Sequence, residues 1–80
     1  MRLDKFLKVS RIIKRRTVAN EACDASHVTV NGKPAKASYD VKVNDVIEIA
    51  FGSRTLRIRV RTILDSTKKA DSSEMYDVLP

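Results

Sequence analysis

Few of the residue types that crosslink, stiffen or equip a small protein occur in this sequence. There is one cysteine, Cys23. No internal disulfide can therefore form, and with only His27 as a companion Cys23 cannot anchor a structural zinc site. Tryptophan is absent, and the aromatic side chains are Phe6, Tyr39, Phe51 and Tyr76. That is too few for the stacking platforms of general single-strand binders, and both phenylalanines fit the apolar core pattern. Glycine occurs only at positions 32 and 52, so there is neither a Gly-rich phosphate loop nor a GxGxxG fingerprint. No run approaches the roughly 18 apolar residues of a membrane-spanning helix. The opening Met1-Arg2-Leu3-Asp4-Lys5 puts an acid where a signal peptide is basic, and no apolar stretch of about 7–15 residues follows. A cytoplasmic protein without membrane contact is expected. The carboxylates are scattered through turns with no paired arrangement for acid–base work. No metal, cofactor or catalytic residue is expected, and at this size binding is favoured over catalysis.

What is present is aliphatic and basic. The 80 residues are 42% apolar and 32% charged, with 16 Lys and Arg against 10 Asp and Glu, a net charge of +6. One small soluble domain fits that length. The charge is uneven. Residues 1–20 carry Arg2, Lys5, Lys8, Arg11, Lys14, Arg15 and Arg16 against Asp4 alone, and residues 51–64 carry Arg54, Arg57, Arg59 and Arg61 with no acid. Segments 21–50 and 65–80 are each net acidic. A basic amino-terminal quarter within a folded domain attracts phosphate backbones.

Hydrophobic periodicity changes once along the chain. Leu3, Phe6 and Leu7 recur at helical spacing, which predicts a first helix over 3–9. Ile12 and Ile13 bury the connection. Thr17 reads as the N-cap of a second helix over 17–25, with Val18, Ala19, Ala22, Cys23 and Ala25 as its small-residue stripe. From Val28 the period is that of strands. Asn31-Gly32 predicts a tight hairpin whose return arm runs from Lys33 to Lys36. Val41 and Val43 lead through the Asn44-Asp45 turn to a strand from Val46 to Phe51. Gly52-Ser53 then turns into Leu56, Ile58 and Val60, which alternate with Arg57, Arg59 and Arg61. Residues 65–74 read as a polar loop, and Met75 to Leu79 as a last edge strand. The fold class is α+β, two short helices followed by a small, mostly antiparallel sheet. Residues 1–64 are expected to form a single domain and 65–80 a polar extension.

The sharpest feature is Lys14-Arg15-Arg16-Thr17, where three cations run into a helix start whose free N–H groups favour an anion. An arginine can grip two phosphate oxygens at once. The competing reading is an incidental basic turn. Asp4 either complements its helix dipole or orients Arg2 or Arg16, and spacing leaves both open. Cys23 and His27, four apart, invite a nucleophile–base reading, but Cys23 falls on the packed stripe. The row Arg57, Arg59 and Arg61 is either a second phosphate surface or a partner for the acids of 65–77, with the second favoured.

Arg2-Leu3-Asp4-x-x-Leu7, Lys14-Arg15-Arg16-Thr17, Ala22, Val28-x-Val30-Asn31-Gly32, Lys36-x-Ser38 and Val43-x-Asp45-x-Ile47 together resemble the RNA-binding motif of ribosomal protein S-four, over about residues 1–50. The near-standalone length and the tail from Thr67 to Tyr76 resemble the short, RqcP-like branch of the heat-shock protein fifteen family. That resemblance implies a non-enzymatic factor of ribosome-associated quality control, and a monomer is expected. Such a factor binds obstructed large ribosomal subunits carrying peptidyl-tRNA, contacts 23S rRNA and tRNA, and helps a partner protein add alanine tails to the stalled chain. Carried over by position, Arg2 and Arg16 lead the RNA-contacting set, followed by Lys14, Arg15 and Thr17, then Arg11, Lys5 and Lys36. Ser26 and Asn44 stand where the motif usually has glycine. The alternative is a detached RNA-targeting domain serving an RNA-modifying enzyme such as a pseudouridine synthase.

Overall fold

In the computed structural model, which describes residues 1–64 and 72–80, the chain forms two helices and a five-stranded sheet. The elements are α1 (Leu3–Val9), α2 (Arg16–Asp24), β1 (Val28–Val30), β2 (Lys33–Pro34), β3 (Val46–Phe51) and β4 (Arg54–Val60). A 3₁₀ turn (Ser72–Met75) then leads into β5 (Tyr76–Val78). Every pairing is antiparallel, in the order β2-β1-β3-β4-β5. This is the α+β architecture expected. Most of the loop expected over 65–74 lies outside the described residues.

The core is aliphatic, as the shortage of aromatics requires. Leu3, Phe6 and Leu7 of α1 and Ala19 of α2 are fully buried against Val28, Ile47, Ile49, Ile58 and Val60 from one face of the sheet. Burying each of the larger side chains contributes about 1.5–3 kcal/mol. Met75 is also fully buried, so the carboxy-terminal segment supplies part of the core as well as an edge strand.

A tight turn sets the register of the first hairpin. Asn31 (φ 53) and Gly32 (φ 84) both take left-handed conformations, as a two-residue hairpin of this type demands. The return arm is shorter than expected, ending at Pro34, after which the Ala35 N–H still donates to the Val28 carbonyl at 3.3 Å. Val41 and Val43 lead into a turn as expected, with Val41 buried. Lys42 to Asn44 turn around the buried Asp45, leaving Val43 exposed. Phe51 is likewise exposed, because β3 runs past the end of the core. Val18 departs from its helix's buried stripe and faces solvent.

Helix boundaries moved for identifiable reasons. Thr17 is not the cap of α2. Arg15 holds the extended cap position (φ −121, ψ 131), its carbonyl accepts from the Ala19 N–H at 3.1 Å, and no side chain caps the helix. At the other end Ser26 adopts φ 62 in the place of the expected glycine. The Ser26 N–H donates to the Cys23 carbonyl (3.0 Å) and the His27 N–H to that of Ala22 (2.9 Å), which closes α2 in a Schellman motif.

Candidate nucleic-acid interface

The site is built around Asp4. The first two N–H groups of α1 go to backbone carbonyls, the Leu3 N–H donating to that of Tyr39 (2.8 Å) and the Asp4 N–H to that of Ala37 (3.2 Å). An isolated bridge between Arg2 and Asp40 runs alongside. The Asp4 carboxylate, only 3% exposed, accepts instead from the Lys5 N–H at 2.8 Å and from three side chains. Arg2 donates through Nε (3.2 Å) and a terminal nitrogen (3.3 Å). Arg16 approaches both carboxylate oxygens at 3.4 Å, and Asn20 Nδ2 reaches Oδ2 at 3.3 Å. Burial pushes the Asp4 carboxyl up, but hydrogen bonds from Asn20, Arg16, Arg2 and the Lys5 amide outweigh it and hold the group below the usual carboxylate range.

The asymmetry of these pairs gives them their use. Asp4 is buried, whereas the Arg2 and Arg16 side chains keep 51% and 48% of their exposure. A guanidinium has five N–H donors in a rigid fork. Each arginine spends one edge on Asp4 and turns the rest to solvent, fixed in place and ready for a phosphate. The geometry realises both roles left open for Asp4, since its carboxylate takes the Lys5 N–H in the first turn of α1 and also orients Arg2 and Arg16.

Other expected residues gather around this centre. A cleft of about 560 Å³ is lined by Arg2, Asn20, Lys36 and Ser38, and on the other side a hollow of about 400 Å³ is lined by Asp4, Arg16, Thr17 and Asn20. Lys14 and Arg15 are exposed on the bend into α2 and line neither of these. Lys5 is half-buried on α1 and engaged there. Arg11, just past α1, has φ 65, a conformation costly for a side chain of its kind.

Asn20 was missed by sequence reasoning. It lies four residues after Arg16, hence on the same helical face, and that spacing was its signal. A second buried carboxylate, Asp45, was missed as an organiser. It accepts from the Tyr39 hydroxyl (2.9 Å), Asn31 Nδ2 (3.1 Å) and the Lys42 N–H (2.9 Å), tying the hairpin tip to the loop that carries Lys36. The hydrogen bond to Asp45 pushes the Tyr39 hydroxyl pKa up.

Nothing in this region is arranged for covalent chemistry. Cys23 is buried, and burial followed by the charges of Asp4 and Asp24 pushes its thiol up to about 11. It therefore stays protonated at neutral pH, while His27 is exposed beyond the end of α2. Among the described residues no cluster of His, Cys, Asp and Glu could hold a metal ion.

The arginine row is half as expected. Asp77 pairs with Arg59 (3.3 Å) and Arg61 (3.6 Å), but Arg57 pairs across the strands with Glu48 (3.1 Å). Register decides this, since Glu48 lies directly opposite Arg57.

Comparison with known proteins agrees with this geometry. The S4 domain model matches residues 1–47. The chain is 57% identical over 79 residues to the RQC P-site tRNA stabilizing factor of Streptococcus pneumoniae, covering 99% of this chain and 90% of that one. It is 49% identical over 79 residues to the factor of the same name from Bacillus subtilis, with 99% and 92% covered. Among solved structures, heat shock protein 15 of Vibrio cholerae, described as trimeric, superposes with a TM-score of 0.92 at 28% identity, covering 99% of this chain and 81% of that one. With a basic face built on two helices, and with relatives this similar along nearly its whole length, the chain belongs to the S4-domain family, in the group of the RQC P-site tRNA stabilizing factors.

Proposed function

We propose that this chain is a non-enzymatic RNA-binding factor of ribosome-associated quality control. It binds obstructed large ribosomal subunits that carry peptidyl-tRNA, touches both 23S rRNA and the tRNA, and supports alanine tailing of the stalled chain by a partner protein. The observation that carries the RNA-binding reading is the buried Asp4 holding the half-exposed Arg2 and Arg16 on a basic helical face. The names of the relatives support the choice of ribosomal target.

In this reading Arg2 and Arg16 grip the backbone first. Lys14, Arg15 and Thr17 extend the contact along the entry to α2, and Arg11, Lys5 and Lys36 border it. Residues 1–64 form the RNA-binding unit, whose sheet β5 completes. Recognition is by shape and phosphate, because duplex RNA exposes its backbone and 2′-hydroxyls more readily than its base edges. With about five or six cations on phosphates, the log–log salt slope of binding should be on the order of −4 to −5, as a salt titration will read. The protein acts as a monomer, and a trimer by light scattering would contradict that part of the reading. No helix among the described residues is long and apolar enough to cross a membrane.

Affinity capture of the tagged full chain tests the assignment. Large subunits with peptidyl-tRNA should copurify. Capture of an RNA-modifying enzyme in their place would overturn it in favour of a detached RNA-targeting subunit.

A further inference from the structure

The face of the sheet turned away from the buried core carries a second set of arginines that the first site does not use. Side chains alternate along β4, so that Ile58 and Val60 enter the core while Arg57 and Arg59 stand on the opposite face, with Arg61 following just past the strand. The row is regular, with successive arginines about 7 Å apart along the strand. The three keep 51%, 52% and 54% of their side-chain exposure.

Two carboxylates serve these three guanidiniums. Glu48 holds Arg57 through its Nε, and Asp77 is shared between Arg59 and Arg61. The device is that of Asp4 with Arg2 and Arg16, one acid fixing two arginines by one edge and leaving their remaining donors to solvent. Exposed ion pairs of this kind add little to stability, so stability does not explain an arginine at every position. Protein-binding surfaces are anchored by buried aromatic or large aliphatic side chains. The described neighbours on this face are small or polar apart from Pro34, Val46 and the half-buried Leu79 opposite Arg57, and no aromatic stands among them. Charge and spacing, with no aromatic among the described neighbours, fit a phosphate backbone.

We infer that Arg57, Arg59 and Arg61 form a second RNA-backbone surface, which lets the domain hold one RNA segment on its helical face and another on its open sheet face. The inference rests on the RNA-binding reading above. The core separates the two faces in a body 28 × 27 × 23 Å, so an RNA helix docked on α1 and α2 leaves the row free for a second segment.

The test compares the full chain with Arg57→Gln/Arg59→Gln/Arg61→Gln, and with Lys33→Gln/Lys42→Gln/Arg54→Gln as a charge-matched control. Binding is measured to large subunits carrying peptidyl-tRNA and, separately, to a duplex RNA hairpin and to an acidic peptide. The arginine triple should bind the subunits about tenfold more weakly, with a salt slope shallower by about 2, while the control stays within about threefold of wild type. Equal losses in both variants, or none in the arginine triple, would overturn the inference. So would a loss confined to binding of an acidic peptide, which would make the face a protein contact. If the triple does not fold, Glu48→Gln decides, because it frees Arg57 without removing a cation. Tighter binding supports the second surface, and unchanged or weaker binding contradicts it. Wild-type protein that ignores the subunits but binds the hairpin through the row would sink the ribosomal reading and leave the second surface standing.

Discussion

Asp4 is the residue on which the site depends. Its carboxyl is held below its ordinary value of 3.8, so its contribution to stability is complete above about pH 4 and fades as the pH falls through the lower folded-state value. Asp4→Asn keeps the shape but weakens the charge-assisted bonds to Arg2 and Arg16, and it should cost about 1–3 kcal/mol in denaturant melts at neutral pH. The difference from wild type should shrink towards pH 3, and a constant difference across that range would contradict the assignment. Arg11 shows the opposite balance. At φ 65 it occupies a glycine-like position, so Arg11→Gly should stabilise the fold by about 1 kcal/mol while weakening RNA binding. A variant both more stable and equally tight would remove Arg11 from the interface. That Arg2 and Arg16 share one basic helical face was legible because cations clustered where apolar spacing placed two helices. Asn20 was missed although its spacing from Arg16 marked the same helical face, and Asp45 because a buried carboxylate acquires its partners only when distant segments meet.

At the scale of elements, periodicity was a good guide wherever burial enforced it. The α1 stripe and the alternation along β3 and β4 appear in the structure because a shift of one residue would expose a whole face. Ends and edges were read less well. Phe51, Val18 and Val43 are apolar yet exposed, because pattern alone does not say where the core stops. The start of α2 moved upstream because the backbone at Arg15 supplied the turn that Thr17 was expected to make. Ser26 closes that helix in a left-handed conformation favoured by glycine. Ser26→Gly should therefore raise stability by about 1 kcal/mol in thermal melts, and no gain would mean that the serine side chain compensates for the strain.

For the whole molecule, the charge imbalance visible in the sequence becomes a division of labour between surfaces. Two helices and the loop before Asp45 assemble the first basic face, and the far side of the sheet carries the arginine row. The core between them holds both in fixed relation. The central claim is that Arg16, held by Asp4, grips the RNA of obstructed large subunits. Sucrose-gradient sedimentation of lysates containing wild type or Arg16→Ala, with detection of the protein and of peptidyl-tRNA in each fraction, tests it most directly. The account predicts that wild type comigrates with large subunits bearing peptidyl-tRNA and that an equally stable Arg16→Ala protein stays near the top. Wild type at the top of the gradient, or a variant that comigrates as fully as wild type, would contradict it.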